Sequence, residues 1–132
     1  MIFHARGPQC REQDPCPPGL HYYYTYASNT EWRFESKAAI EATEQSCEVP
    51  TIKTFFGVNS FVTPPKQDTA RELNSLEFAR SRLTACSDLN GDELVNFIYA
   101  DFWSEGDLPR LVQEENTARA SQRRTLFVRR GE

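Results

Sequence analysis

Residues 94 to 107 constrain the fold of this chain most. Leu94, Val95, Asn96, Phe97, Ile98, Tyr99 and Ala100 form a nearly unbroken apolar run that stops at Asp101, and Phe102, Trp103, Ser104, Glu105, Gly106 and Asp107 follow. A run of this length and composition reads as a strand buried on both faces, and Gly106 with Asp107 reads as the entry to a helix. Asp101 then sits at the C-terminal mouth of a central strand. Parallel α/β architectures, barrels above all, place chemistry at that edge, because the strand fixes the backbone while the next loop opens to solvent. The competing reading is that Asp101 simply forms a turn.

The other elements follow from pattern and punctuation. Residues 1–5 read as a short strand, and the Pro-rich stretch from Gly7 to Gly19 as a loop. His21, Tyr22, Tyr23, Tyr24, Tyr26, Trp32 and Phe34 have neither clean helical nor clean strand periodicity, so they predict an irregular aromatic wall beside a cleft, or else core packing. Residues 36–46 suit a short helix capped by Ser36. From Thr51 to Thr63 the β-branched and aromatic residues mark a second strong strand, ended by Pro64 and Pro65. A helix opening at Asp68 carries Leu73, Leu76, Ala79, Leu83 and Cys86 at helical spacing and stops at Asn90 and Gly91. A last helix starts near Asp107, with Leu108, Leu111 and Val112 inside. Strands separated by helices imply parallel pairing with right-handed crossovers, an α/β class.

With 132 residues the chain has the length of one domain. A net charge of -4 argues against a nucleic-acid partner, which needs clustered Lys and Arg. Residues 122–132 are the basic exception: Arg123, Arg124, Arg129 and Arg130 flank Thr125–Val128, which reads as a basic tail, a short strand with solvated ends, or a patch facing anionic lipid. No segment reaches the 18 or so apolar residues that span a bilayer. Met1, Ile2 and Phe3 run at once into His4, Arg6, Gly7 and Pro8 without the hydrophobic region of a signal peptide, so either the chain is cytosolic or its natural start lies upstream. Four cysteines, Cys10, Cys16, Cys47 and Cys86, permit two disulfides in three connectivities, and a bridge between Cys10 and Cys16 in their stiff Pro-rich loop would suit an exported protein. Their spacing does not suit zinc. Asp88, Asn90 and Asp92 do not make a calcium loop, since glycine and glutamate miss the required positions.

The string Asn59-Ser60-Phe61-Val62-Thr63-Pro64-Pro65, with Ala70, Leu73, Asn74, Arg82, Cys86, Asn96, Phe97, Asp101-Phe102-Trp103 and Gly106-Asp107-Leu108, resembles the C-terminal half of the phosphatidylinositol-specific phospholipase C-like phosphodiesterases, in their secreted fungal and bacterial branch. Cys16-Pro17-Pro18-Gly19-Leu20-His21-Tyr22-Tyr23-Tyr24-Thr25-Tyr26-Ala27 and Thr30 are similar to that family too. Asn29 departs from it, standing where an acid is expected, and so does Ser60, where His or Asn is frequent.

The resemblance implies a partial (β/α)8 TIM-barrel-like fold over residues 1–121, its C-terminal half, with parallel strands and crossover helices. It implies a phosphoric diester hydrolase acting on a phosphoinositide or related phospholipid, with no required cofactor or metal and an extracellular setting for the parent protein. Two histidines of the other half do the chemistry, one removing the inositol 2-hydroxyl proton and one protonating the leaving group; neither His4 nor His21 matches them. Asp101 is then the catalytic-site acid that holds a histidine's second ring nitrogen. Asn59 and Arg6 are candidate substrate-binding residues, Asn59 for a hydroxyl or phosphate oxygen and Arg6 for phosphate through its planar fork. Half a barrel exposes strand edges, so a complementary half or a second copy is an expected partner, and the chain alone is expected to be inactive. Two other readings compete. His4-Ala5-Arg6-Gly7 approaches the His-Arg-Gly of glycerophosphodiester phosphodiesterases but is interrupted by Ala5, and a non-catalytic, secreted, disulfide-stabilised binding module accounts for the cysteines.

Overall fold

The computed structural model describes residues 2–4, 17–18 and 20–129, with the side chains of 17–18 and 20–121. Arg6, Cys10, Cys16 and most of the Pro-rich stretch lie outside the described residues. The chain is a mixed α/β structure, and the strands among the described residues pair in parallel. Strand β1 (Ile2–His4) pairs with β2 (Leu20–Tyr22). A one-turn helix α1 (Tyr23–Tyr26) leads to β3 (Ala27–Asn29), the first strand of a three-stranded sheet ordered β3, β4 (Phe55–Asn59), β5 (Val95–Tyr99). Helices α2 (Lys37–Glu41) and α3 (Thr43–Cys47) cross from β3 to β4, α4 (Gln67–Leu73) and α5 (Leu76–Leu89) cross from β4 to β5, and α6 (Leu108–Arg129) follows β5. Within the three-stranded sheet successive strands therefore lie side by side, joined by helical crossovers, without the order reversal of a doubly wound sheet.

The two faces of this sheet differ because side chains alternate along a strand. Phe56 and Val58 point to the helices, where they pack with Val95, Cys47 and Cys86. Ile98 and Ala100 reach the same side and meet Ala79, Leu108 and Leu111. A third cluster, Phe34, Ile40, Val62 and Leu73, closes the end of the sheet beyond β3 and β4, where Phe34 and Val62 form one further parallel bridge. The Cys47–Cys86 disulfide, fully buried, ties α3 to α5. Asn90 reinforces it, its Nδ2 donating to the carbonyls of both Cys47 and Cys86 at 2.8 Å.

Several sequence expectations are corrected here. The run at 94–100 is not buried on both faces: Leu94 and Asn96 are exposed, and Phe97 and Tyr99 are only partly covered. A β-bulge is the reason. Phe56 pairs with Val95 but Gly57 pairs with Phe97, so Asn96 is the extra residue, its Oδ1 accepting from the Phe56 N–H at 2.8 Å. The bulge turns Phe97 and Tyr99 onto the face away from the helices. The helix expected from Asp68 to Asn90 is two helices, broken at Asn74 and Ser75. Ser75 caps α5 by accepting from Phe78 N, and Asn74 leaves the helical path to serve a neighbouring loop. Residues 36–46 likewise divide at Ala42, with Ser36 capping α2 as its sequence position suggested. The strand reading of Thr125–Val128 fails: these residues continue α6. Between Leu111 and Val128 no Gly or Pro interrupts the chain, and helix propagation costs little once nucleated.

Candidate functional site

A groove of about 980 Å³ runs along β3 and over the C-terminal ends of β4 and β5. Its lining includes Tyr23, Tyr24, Asn29, Trp32, Asn59 and Tyr99. The expectation of an aromatic wall beside a cleft thus falls on real geometry, organised by edge-to-face ring contacts such as Tyr23 with Tyr24 at 5.2 Å and Tyr23 with Tyr99 at 6.4 Å between centroids.

At the floor lies Gly57. A Cβ there would stand 2.5 Å from Asn29 Oδ1, 2.7 Å from the Tyr99 ring and 3.2 Å from the Tyr23 hydroxyl, so only glycine lets these three side chains converge. They form a chain of hydrogen bonds whose direction is fixed. Tyr23 Oη donates to Asn29 Oδ1 at 2.7 Å, so the proton between the two hydroxyls comes from Tyr99. Burial pushes both phenols above their ordinary value, Tyr99 the more, and being the donor raises Tyr99 further. Both are neutral at physiological pH. The Asn29 Nδ2 takes no partner among the described residues.

Asn59, 5% exposed, stands beside this chain, opposite Tyr99 in the sheet register. Its Nδ2 donates to Thr30 O at 2.7 Å, and its backbone N–H donates to Thr30 Oγ1 at 2.9 Å. One of the two Nδ2 hydrogens is thereby engaged, and Asn59 Oδ1 takes no donor among the described residues, which leaves it free to accept. The groove's charges are also tied to backbone. Glu31 accepts from the Trp32 and Arg33 N–H groups, which hold its carboxyl below the usual range, and Lys53 Nζ donates to Tyr24 O. The groove therefore combines aromatic faces and the amides of Asn29 and Asn59 with the charged side chains of Glu31, Glu48 and Lys53.

Behind Asn59 lies a residue the sequence reading used only as a marker of resemblance. Arg82 is 5% exposed and faces no carboxylate; its Nε and Nη2 fork onto Asn59 O at 3.1 and 2.8 Å, its Nη1 donates to Ile40 O at 3.0 Å, and its Nη2 to Ser46 O at 3.3 Å. Burial brings its pKa down to about 10, which leaves it charged at neutral pH. It ties the ends of α2, α3 and β4 to α5. The signal was present: position 82 falls on the apolar stripe of Ala79, Leu83 and Cys86, where a cation must find partners.

The structure separates the other candidates. Asp101 lies past the end of β5 and is not among the residues lining the groove. Its Oδ2 is buried with no hydrogen-bond partner among the described residues, while its carbonyl accepts from Asn74 Nδ2 at 3.0 Å. Arg6 lies outside the described residues. Among those residues no group of His, Cys, Asp and Glu is placed to hold a metal ion, and no helix is long and apolar enough to cross a membrane. Comparison of the chain with protein-family models, with curated proteins and with solved structures finds no match.

Proposed function

We propose that this chain is the C-terminal half of a (β/α)8-type, phospholipase C-like phosphodiesterase whose parent protein cleaves a phosphodiester by histidine acid/base chemistry. The observation that carries the reading is Asp101 Oδ2: a buried carboxylate oxygen without a partner, at the C-terminal end of the last of three consecutive parallel strands. Such an atom is costly alone and calls for a donor. An imidazole brought by the complementary half fits, since the carboxylate would orient the ring and stabilise the imidazolium formed during proton transfer. Asn59 then accepts a hydrogen bond from a substrate hydroxyl through Oδ1, held in place by the one Nδ2 hydrogen that it donates to Thr30 O. Arg6 remains the candidate for the phosphate.

The test is complementation. The purified chain, incubated with phosphatidylinositol, is expected to release no cyclic inositol phosphate; mixed with a half-barrel carrying the two histidines it is expected to gain turnover, which Asp101→Asn lowers by roughly 10²–10⁴-fold. Turnover by the chain alone, or complemented turnover indifferent to Asp101→Asn, overturns the reading.

A second reading, a secreted and disulfide-stabilised binding module without catalysis, is favoured by one observation. The groove is assembled without Asp101, on a frame held by the buried Cys47–Cys86 bridge. Saturable ligand binding in the groove, with no turnover under complementation, selects it.

A further inference from the structure

Asn90 is the chain's one asparagine followed by glycine, and the pair stands in the turn between α5 and β5. In an open chain this pair is chemically unstable, because glycine has no side chain to keep its nitrogen from reaching the asparagine Cγ. Gly91 is exposed, has φ 73°, and a Cβ there would meet nothing within 4 Å, so the turn is open to water. The amide itself is not open. Asn90 Nδ2 donates to Cys47 O and to Cys86 O, each at 2.8 Å, which occupies both of its hydrogens. The attacking nitrogen is held as well, its N–H donating to Asp88 O at 3.2 Å. Cys86 O belongs to α5, the helix that Asn90 ends, whereas Cys47 O belongs to α3, which the Cys47–Cys86 bridge joins to α5 at this point. Breaking that bridge turns a covalent separation of the sulfurs into a van der Waals one. Both cysteines are fully buried in a close-packed core, so the added room comes only from α3 and α5 moving apart.

We infer that Asn90 is a site of spontaneous deamidation gated by the Cys47–Cys86 bridge, closed while the bridge stands and open once it is reduced. A dithiol supplies the two electrons: its sulfurs displace the two cysteine sulfurs, the S–S bond breaks, and the dithiol leaves as a cyclic disulfide. Cys47 O then draws away with α3, and the Asn90 amide is free to turn. The Gly91 nitrogen gives up its proton and bonds to Asn90 Cγ, the Cγ–Nδ2 bond breaks, and ammonia departs. Water opens the resulting cyclic imide at either carbonyl, which leaves an aspartyl or isoaspartyl residue at position 90. The new carboxylate accepts hydrogen bonds and donates none, so it repels the two carbonyls that the amide had served. A reversible change at sulfur thereby becomes a permanent change of charge at the joint between α3 and α5. The inference rests on neither functional reading, because it needs no ligand and no turnover.

The test follows the chain over time at mildly alkaline pH in three forms: oxidised, reduced with dithiothreitol, and as the variant Cys47→Ala/Cys86→Ala, which has no bridge to reduce. Peptide mass spectrometry reads the exchange of amide for acid at each asparagine. Losing one or both hydrogen bonds of the Asn90 amide predicts a reaction about 5- to 30-fold faster in the reduced chain and in the variant than in the oxidised chain. Asn59 and Asn74, each buried and followed by serine, should keep their amides in all three forms. They are the control for folding, since a chain that has simply unfolded exposes them together with Asn90. The product mimic Asn90→Asp should lower the urea midpoint of the oxidised chain. Equal rates at Asn90 with and without the bridge, or exchange at Asn59 and Asn74 in step with Asn90, would overturn the gating. An oxidised Asn90→Asp chain with an unchanged urea midpoint would overturn the consequence drawn for α3 and α5.

Discussion

Tyr99 and Tyr23 set the chemistry of the groove through two hydroxyl protons. Because the folded chain holds both phenols above the ordinary value near 10, folding disfavours their ionised form. The linkage has a definite sign: their contribution is complete below the unfolded pKa, and stability falls as pH rises past about 10, by up to ~1.4 kcal/mol per pH unit for each tyrosine. Urea unfolding across that range should show the decline, and Tyr99→Phe should make it shallower. Neither tyrosine should add phenolate absorbance near 295 nm until the chain unfolds; early ionisation of both in the native state contradicts the buried proton chain. Little of this was legible beforehand. Tyr99 looked like one more apolar residue in a strand, since its direction depends on the bulge at Asn96, and Asn29 registered only as a departure from a family pattern.

Helix α5 shows how far an element's pattern can be trusted. Its stripe at Ala79, Leu83 and Cys86 was readable and is buried or half-buried as expected. Its start was not, because the break at Asn74 answers to a loop 27 residues away, whose carbonyl at Asp101 needs a donor. Arg82 is the element's second long-range commitment. Replacing it by Met leaves the carbonyls of Ile40, Ser46 and Asn59 short of a buried donor, at about 1–3 kcal/mol each, so Arg82→Met should cost roughly 3–5 kcal/mol. Arg82→Lys should recover only part, since one ammonium cannot fork across those oxygens. Urea midpoints measure both, and a loss below about 1 kcal/mol for Met would show that the carbonyls find other donors. At the opposite extreme, Thr125–Val128 resembled a strand and is helix, because a growing helix with no breaker overrides a four-residue β preference.

Among the described residues the fold is held by helices packed on one face of the three-stranded sheet, three apolar clusters and the Cys47–Cys86 link. Cys47 and Cys86 stand 39 residues apart, and in the chain-entropy account closing a loop of that length stabilises by about 4 kcal/mol. Against the ~5–15 kcal/mol typical of a domain that is a large share. The Cys47→Ala/Cys86→Ala variant should therefore show a much lower urea midpoint, and a midpoint unchanged within error would mean that α3 and α5 dock without help. The sequence by itself determined the class: alternating apolar strands and amphipathic helices, with punctuation by Pro, Gly and Ser, dictate parallel pairing through crossovers. It also located the sheet edge on which Asn59, Tyr99 and Asp101 stand, because local periodicity is written in neighbouring residues. Tertiary structure alone decided that Cys47 pairs with Cys86, which face Tyr99 takes, that Asn59 donates to Thr30, and that Asp101 lies apart from the groove. Each of those depends on a partner 27 or more residues away, or on a one-residue shift in register, and no local preference encodes such a choice.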